Sequence, residues 1–350
     1  MKMKGNEMLD GVVVVEFGRI FSAPLAGMIL SDLGARVIKI ERKGAGDESR
    51  RYGMMLNEGF SDYYFALNRK KEVLQLDLKD GADLATVRDM LRDSDVLIHN
   101  SLQASFDGLG LSYNSVRELN PKIIYAAISG YGSESKYRDF PSQDVTVQGL
   151  SGLMSLSGFP DNIPLKTGVP VVDFVTGQYL VIGIMAALRE RGQTGEGRLV
   201  TASLLESAAS MTSIEAVRYL NNNVAAFRCG NRHHSIAPYN SFEAIDGHVM
   251  IAIANDEMFG RFALILGIDT EGFETNSQRL RDIDRLEDII GEQTKKYTAA
   301  KLASMLKGGK VSCEPINDIA QALESEEFRE LNLVGRENGL AYIKTPINFL

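Results

Sequence analysis

Short apolar runs alternate with longer segments of helical period over the first 130 or so residues, and this alternation sets the expected architecture. Residues 12–17 are mostly apolar with a turn behind them, which reads as a strand buried on both faces. Pro24 suits the first turn of a helix running to about Leu33, and Gly34 suits its C-terminal cap. Residues 36–41 follow as a second strand, closing a βαβ unit. The pattern then predicts strands at 73–78, 96–99 and 123–128, with a helix at 81–92. Such alternation implies a parallel sheet with helices on both faces.

Residues 174–188 form the most hydrophobic stretch; at fifteen residues it is short for a bilayer and reads as a buried helix, with 189–198 as a charged turn. A long helix is expected over 201–220, ended by Asn221, Asn222 and Asn223. Two short strands then flank the turn Asp246–Gly247, helices are expected near 257–266, 281–291 and 299–306, and 311–316 reads as a strand. The expected fold is α/β: a large Rossmann-like parallel-sheet domain over 1–220, a smaller α+β domain over 228–317, and a return towards the first domain over 318–350.

With 44% hydrophobic and 24% charged residues among 350, the chain has a globular profile with more than one core. A net charge of −8 argues against a nucleic-acid partner, which needs a basic face. It leaves room for an anionic small molecule where cations cluster, at Arg42–Lys43, Arg50–Arg51 and Arg69–Lys70–Lys71. Each cluster is equally a solvated surface. Cys229 and Cys313 have no metal-type spacing to the four histidines, so neither a disulfide framework nor a metal site is expected, and a reducing, cytoplasmic compartment is. Residues 1–7 lack the apolar core of a signal peptide, and no membrane span is expected. The turn Gly18–Arg19–Ile20–Phe21–Ser22–Ala23 lacks the three-glycine dinucleotide fingerprint, which excludes a nicotinamide or flavin enzyme of that type.

The candidate chemistry lies at Asp173. It stands in a nearly uncharged stretch, 163–177, whose only other charge is Lys166, just ahead of the apolar run. A carboxylate at the mouth of a buried helix is desolvated, which raises its basicity and makes it a better nucleophile or base. The alternative is an N-cap for a helix starting near Phe174, since aspartate is a favoured cap. Both uses remain open on spacing alone.

The chain resembles the class III coenzyme A transferases, a family that includes formyl-CoA and carnitine-CoA transferases and acyl-CoA racemases. The resemblance rests on ordered landmarks over nearly the whole length. They are Leu9–Asp10–Gly11, the segment 33–41, Gly46–Asp47, the segment 68–71, Leu76–Asp77–Leu78–Lys79, Ser129–Gly130–Tyr131–Gly132, Gln143–Asp144 with Gln148, the segment 151–154, Asp173 with Thr176–Gly177, and the segment 191–197. It implies that Asp173 is the catalytic carboxylate, forming a mixed anhydride and then an aspartyl-CoA thioester while CoA passes from an acyl-CoA to a free carboxylic acid. Gln143 stands where the racemases of the family carry a histidine, and an amide is no general base, which favours transfer over racemisation. Its alternative is an ordinary polar residue near a helix start. The resemblance further implies CoA contacts from Arg42, Asn68, Lys71 and Asn100, with Arg50 a further candidate that serves equally as an ion-pair partner. It implies an interlocked homodimer, and coenzyme A as substrate with no permanently bound cofactor. Phe21 replaces a glutamine of the formyl-CoA branch and Gly108 a basic residue, so the acyl donor and acceptor do not carry over. An acyl-CoA racemase or epimerase and a non-catalytic CoA-binding homologue are the rival readings.

Overall fold

A computed structural model describes residues 8–56 and 59–349. Its central sheet is built from β1 (Val13–Phe17), β2 (Arg36–Arg42), β3 (Glu72–Leu76), β4 (Val96–His99), β5 (Ile124–Ser129) and β6 (Arg198–Ser203). All pairings are parallel, in the spatial order β3-β2-β1-β4-β5-β6. Val14 lies between Val37 of β2 and Val96 of β4, so β1 is central and buried on both faces, as its apolar run requires. The connections run in opposite directions on either side of the β1–β4 pair. The crevice beyond the C-terminal ends of those two strands is the place where such sheets bind ligands.

The helices of this region are α1 (Ser22–Asp32), α2 (Asp62–Asn68), α3 (Gly81–Asp93), α4 (Gln103–Gly108), α5 (Tyr113–Leu119), α6 (Asp144–Leu150), α7 (Leu153–Leu156), α8 (Val171–Thr194), α9 (Leu204–Met211) and α10 (Ser213–Asn222). On one face of the sheet Leu25, Ile29 and Leu30 of α1 and Leu180 and Ile184 of α8 pack on Val14, Val37, Val96 and Ile124. On the other face Val87 and Leu91 of α3, Phe106 of α4 and Val116 of α5 pack on Val15, Ile38, Leu97 and Tyr125. Burying each such side chain contributes about 1.5–3 kcal/mol, so these two layers hold the helices on the sheet.

Two sequence expectations are corrected. The helix read at 174–188 spans Val171–Thr194 and absorbs most of the supposed charged turn. By length and composition it would cross a membrane, but its Leu180–Ile184–Ala187 face is packed in the layer just described, and Val172 in a smaller cluster with Val147, Leu204 and Ala208. The helix is not buried all round: Phe174, Tyr179, Ile182 and Met185 are exposed. The long helix read at 201–220 is instead the end of β6 followed by α9 and α10, because Arg198–Ser203 completes the sheet beside β5.

The chain divides into two compact units. One takes the chain up to Met154, Lys166–Ala225 and the segment from Leu333 on; the other takes Ser155–Leu165 and Ala226–Asn332. In the second, β7 (Tyr239–Ala244), β8 (Gly247–Ala252) and β9 (Ser312–Pro315) form an antiparallel sheet. Helices α11 (Asp256–Leu266), α12 (Asn276–Arg281), α13 (Ile283–Thr294) and α14 (Ala299–Gly308) accompany it, around a core of Val249, Ile251, Phe259, Phe262, Leu286 and Leu302. The first unit is closed by a hairpin of β10 (Val334–Glu337) and β11 (Leu340–Ile343). Tyr342 lies under the Arg69 guanidinium at 4.3 Å, Glu337 accepts the Lys70 N–H at 2.9 Å, and Thr345 donates to Asp32 at 2.6 Å. The stretch 1–7, expected to carry no signal sequence, lies outside the described residues.

Candidate active site

A cleft of about 1220 Å³ opens at the sheet's switch point, entirely within the first unit. Its walls include Arg19–Ser22 after β1, His99–Gln103 after β4, Ser129 and Gly130 after β5, Gln143 and Asp144 at the start of α6, and the loop 166–170 leading into Asp173.

Asp173 sits in the first turn of α8, because the helix starts three residues earlier than the capping alternative required. The cap comes from elsewhere. Pro170 precedes the helix and offers no capping side chain, and Asp144 fills the place: one carboxylate oxygen accepts the N–H of Val172 at 2.8 Å and of Asp173 at 3.0 Å. Its other oxygen accepts from Gln148 Nε2 at 2.5 Å. Gln148 also ties down the loop ahead of α8, donating to Thr167 Oγ1 at 3.0 Å and accepting the Thr167 N–H at 3.0 Å. The backbone around Asp173 is therefore fixed before any substrate arrives.

Burial pushes the Asp173 carboxyl up to about 7, and the nearby Asp144 charge adds to the rise. The nearby Ser22 hydroxyl at the start of α1 opposes it. Helix α1 approaches α8 closely here: a Cβ at Gly177 would meet the Ser22 carbonyl at 2.7 Å. Phe21, the apolar replacement noted in the sequence, packs edge-on against Phe174 at 4.9 Å and Tyr63 at 5.9 Å between ring centroids, sealing one side. Tyr63 is itself pushed up to about 12 by burial and by Asp173, which keeps its phenol protonated.

The structure brings only some of the expected residues to this cleft. Gln143 is on its wall, exposed; Thr146 supplies turn contacts at the start of α6, accepting the Gln143 N–H at 3.2 Å and donating to its carbonyl at 2.8 Å. Asn100 lines it too, with its side chain on the backbone of Arg19. Arg42 is exposed at the C-terminal end of β2 and is not part of the cleft wall. Asn68 and Lys71 are a correction. Both are buried beneath α1, where the Lys71 ammonium reaches Glu16 at 2.7 Å, the Pro24 carbonyl at 2.8 Å and Asn68 Oδ1 at 3.1 Å. A fully engaged ammonium, lowered by burial to about 8, has no donor left for a phosphate. Gly27 exists for this network, since a Cβ there would strike the Glu16 carboxylate. Arg50 is likewise engaged, with Glu41 at 2.7 Å and Tyr64 Oη at 2.6 Å. The ion-pair alternative holds for it.

Sequence reasoning assigned no role to Ser22, Tyr63 or Asp144. For Asp144 a signal existed: a helix whose first residues lack a capping side chain needs an acceptor from outside, and the acid beside Gln143 is one of the landmarks. Of the three cations on the cleft wall, Arg19 pairs with Glu48 and Arg138 with Asp139, whereas Lys166 has no carboxylate partner among the described residues. Its ammonium donates to the Thr167 carbonyl at 3.1 Å.

Residues 9–347 match the family model described as CoA-transferase family III. A succinate–glutarate CoA-transferase of Agrobacterium fabrum is 36% identical over 354 aligned positions, covering 97% of this chain and 88% of its own. The human succinyl-CoA:glutarate CoA-transferase is 31% identical, over 95% of this chain and 77% of its own, and an acetyl-CoA:oxalate CoA-transferase of Acetobacter aceti is 32% identical, over 97% and 88%. Among solved structures, a CAIB/BAIF family protein from Brucella suis superimposes with a TM-score of 0.91 at 35% identity, covering 98% of this chain and 93% of that one.

Proposed function

The chain belongs to CoA-transferase family III, and from that premise we propose that it moves CoA from a dicarboxylic acyl-CoA to a free dicarboxylic acid through covalent intermediates on Asp173. The observation that carries the reading is the Asp173 carboxyl itself, raised to about 7, half-buried and fixed by Asp144 at the switch-point cleft. In its ionised form it attacks the thioester carbonyl and expels CoA thiolate, leaving a mixed anhydride. The thiolate then attacks the Asp173 carbonyl carbon and releases the donor acid, giving an aspartyl-CoA thioester. The acceptor carboxylate reverses both steps, so no water is consumed and the acyl group stays activated throughout. A poorly solvated carboxylate serves this exchange, because its basicity is high and water is kept from the anhydride.

Support for a dicarboxylic acceptor is twofold. The relatives just described are named for succinate, glutarate and oxalate. The cleft also carries Lys166, a cation without a carboxylate partner among the described residues on a loop held by Gln148, suited to a second carboxylate. The interlocked homodimer belongs to the same proposal. Ile182 of α8 (63% exposed) and Leu220 of α10 (78% exposed) are the kind of surface a partner copy covers.

The test is thioester exchange with succinyl-CoA and a panel of mono- and dicarboxylic acids, followed by hydroxylamine trapping and mass spectrometry. The expected result is a hydroxamate on Asp173, faster exchange with dicarboxylic acids, and loss of both in Asp173→Ala. Exchange at the native rate in Asp173→Ala would overturn the mechanism, and equal rates with monocarboxylic acids would overturn the substrate class.

A further inference from the structure

The turn after β1 that walls the cleft is held from beneath by a cluster of buried charges. Glu16 of β1 and Lys39 of β2 stand opposite each other in the sheet, both fully buried. The Lys39 ammonium places all three donors inside the protein, on Glu16 at 3.1 Å, on Asp47 at 3.0 Å and on the Gly18 carbonyl at 2.6 Å. Glu16 pairs in turn with Lys71, which reaches the Pro24 carbonyl at 2.8 Å. Asp47 accepts the Ile20 N–H at 3.3 Å. Two carboxylates and two ammonium groups thus balance in charge, and between them they grip the chain at Gly18, Ile20 and Pro24. From the cleft side the Asn100 amide accepts the Arg19 N–H at 2.9 Å and donates to the Arg19 carbonyl at 2.8 Å.

What is gripped is strained backbone. Ile20, a β-branched residue, has φ 64°, and the Phe21 N–H closes back on the Arg19 carbonyl at 2.9 Å as a three-residue γ-turn. Such a conformation persists only where its surroundings over-determine it. Burying four charges is a poor route to stability, because apolar side chains of the same volume commonly do as well or better. The cluster secures the shape of the wall instead. Arg19–Ser22 line the cleft, and Phe21 sets its ring against Phe174, the neighbour of Asp173, at 4.9 Å between centroids. We infer that Lys39 is a positioning residue for the acyl-CoA cleft: through Gly18 and Asp47 it holds the turn in its strained form, so that this wall is shaped before substrate binds. The role rests on the proposed reading of the cleft as the CoA site.

The experiment reads the turn directly. Arg19–Ile20 is the only Arg–Ile pair in the sequence, so protein labelled with 13C at arginine carbonyls and 15N at isoleucine shows the Ile20 amide as a single resonance. Lys39→Met is expected to speed hydrogen exchange at that amide by about tenfold or more, and to weaken CoA binding, read by calorimetry, by about tenfold. Glu16→Gln combined with Lys39→Met removes one charge of each sign, leaves Lys71 to balance Asp47 and keeps an acceptor at position 16 for Lys71. Its urea midpoint is therefore expected close to the native one, while its Ile20 exchange stays fast and its CoA binding stays weak. A merely structural role predicts that CoA affinity recovers together with the midpoint, and that result overturns the inference. Native protection at Ile20 in Lys39→Met overturns it as well. If Lys39→Met does not fold, the double variant is read by the same criteria. Failure of the native protein to exchange CoA between succinyl-CoA and glutarate would overturn the proposed function, while calorimetry with CoA still reads the positioning role.

Discussion

A carboxyl group held near 7 is about half ionised at neutral pH, and the proton it keeps has consequences for rate and for stability alike. For rate, activity is expected to climb with pH through about 7 as Asp173 becomes the nucleophilic anion. For stability the sign is opposite. The folded carboxyl titrates well above its ordinary range, so between about pH 4 and 7 the native chain holds a proton that the unfolded chain has released, and stability falls as pH rises through that window. Above 7 the full penalty of an ionised, poorly solvated group is present. Asp173→Asn is therefore expected to be more stable than the native protein at pH 8 by about 1–3 kcal/mol, the two converging near pH 4, as measured by urea unfolding at each pH. A native protein equally stable to the variant at pH 8 would mean that Asp173 is not desolvated.

At the scale of elements, the site depends on α1 and α8 approaching more closely than side chains permit. Gly177→Ala would drive a methyl against the Ser22 carbonyl, so the start of α1 must move away and take the Ser22 hydroxyl with it. The expected outcome is a loss of about 1–3 kcal/mol in thermal unfolding together with reduced kcat. An active enzyme of native stability would show that α1 yields freely. The central strands and α1 were legible in the sequence because Val, Ile and Leu runs and the Pro24 and Gly34 signals act over a few residues. The strand β6 was not, because Arg198–Ser203 has polar and half-exposed positions and takes its order from pairing with β5. The start of α8 was misplaced for the same kind of reason. Its cap, Asp144, lies 28 positions earlier, beyond the reach of any local signal. Asp173 and Asn100 were placed at the cleft on family resemblance, whereas Lys71 and Arg50 resembled binding residues and turned out to hold buried or half-buried charge pairs, with Asn68 hydrogen-bonded to Lys71. Sequence shows that a cation is present, and only packing shows whether it is already neutralised.

For the whole molecule, the exposed apolar side chains on α8 and α10 depart from what a lone chain would present to water. Sedimentation at micromolar concentration is expected to give twice the 38.5 kDa chain mass, and Ile182→Asp with Leu220→Asp to shift it towards the single chain. A native protein that sediments as one chain would remove the homodimer from the proposal. The hairpin β10–β11 carries a different consequence. Asp32, which gathers Arg69 and Lys70, also takes the Thr345 hydroxyl from 313 positions further along the chain, and Arg69 takes the Tyr342 ring. On a translating ribosome those early partners emerge long before the late ones exist. Asp32 and Arg69 must wait, through the synthesis of everything between, for Tyr342 and Thr345 to complete their contacts.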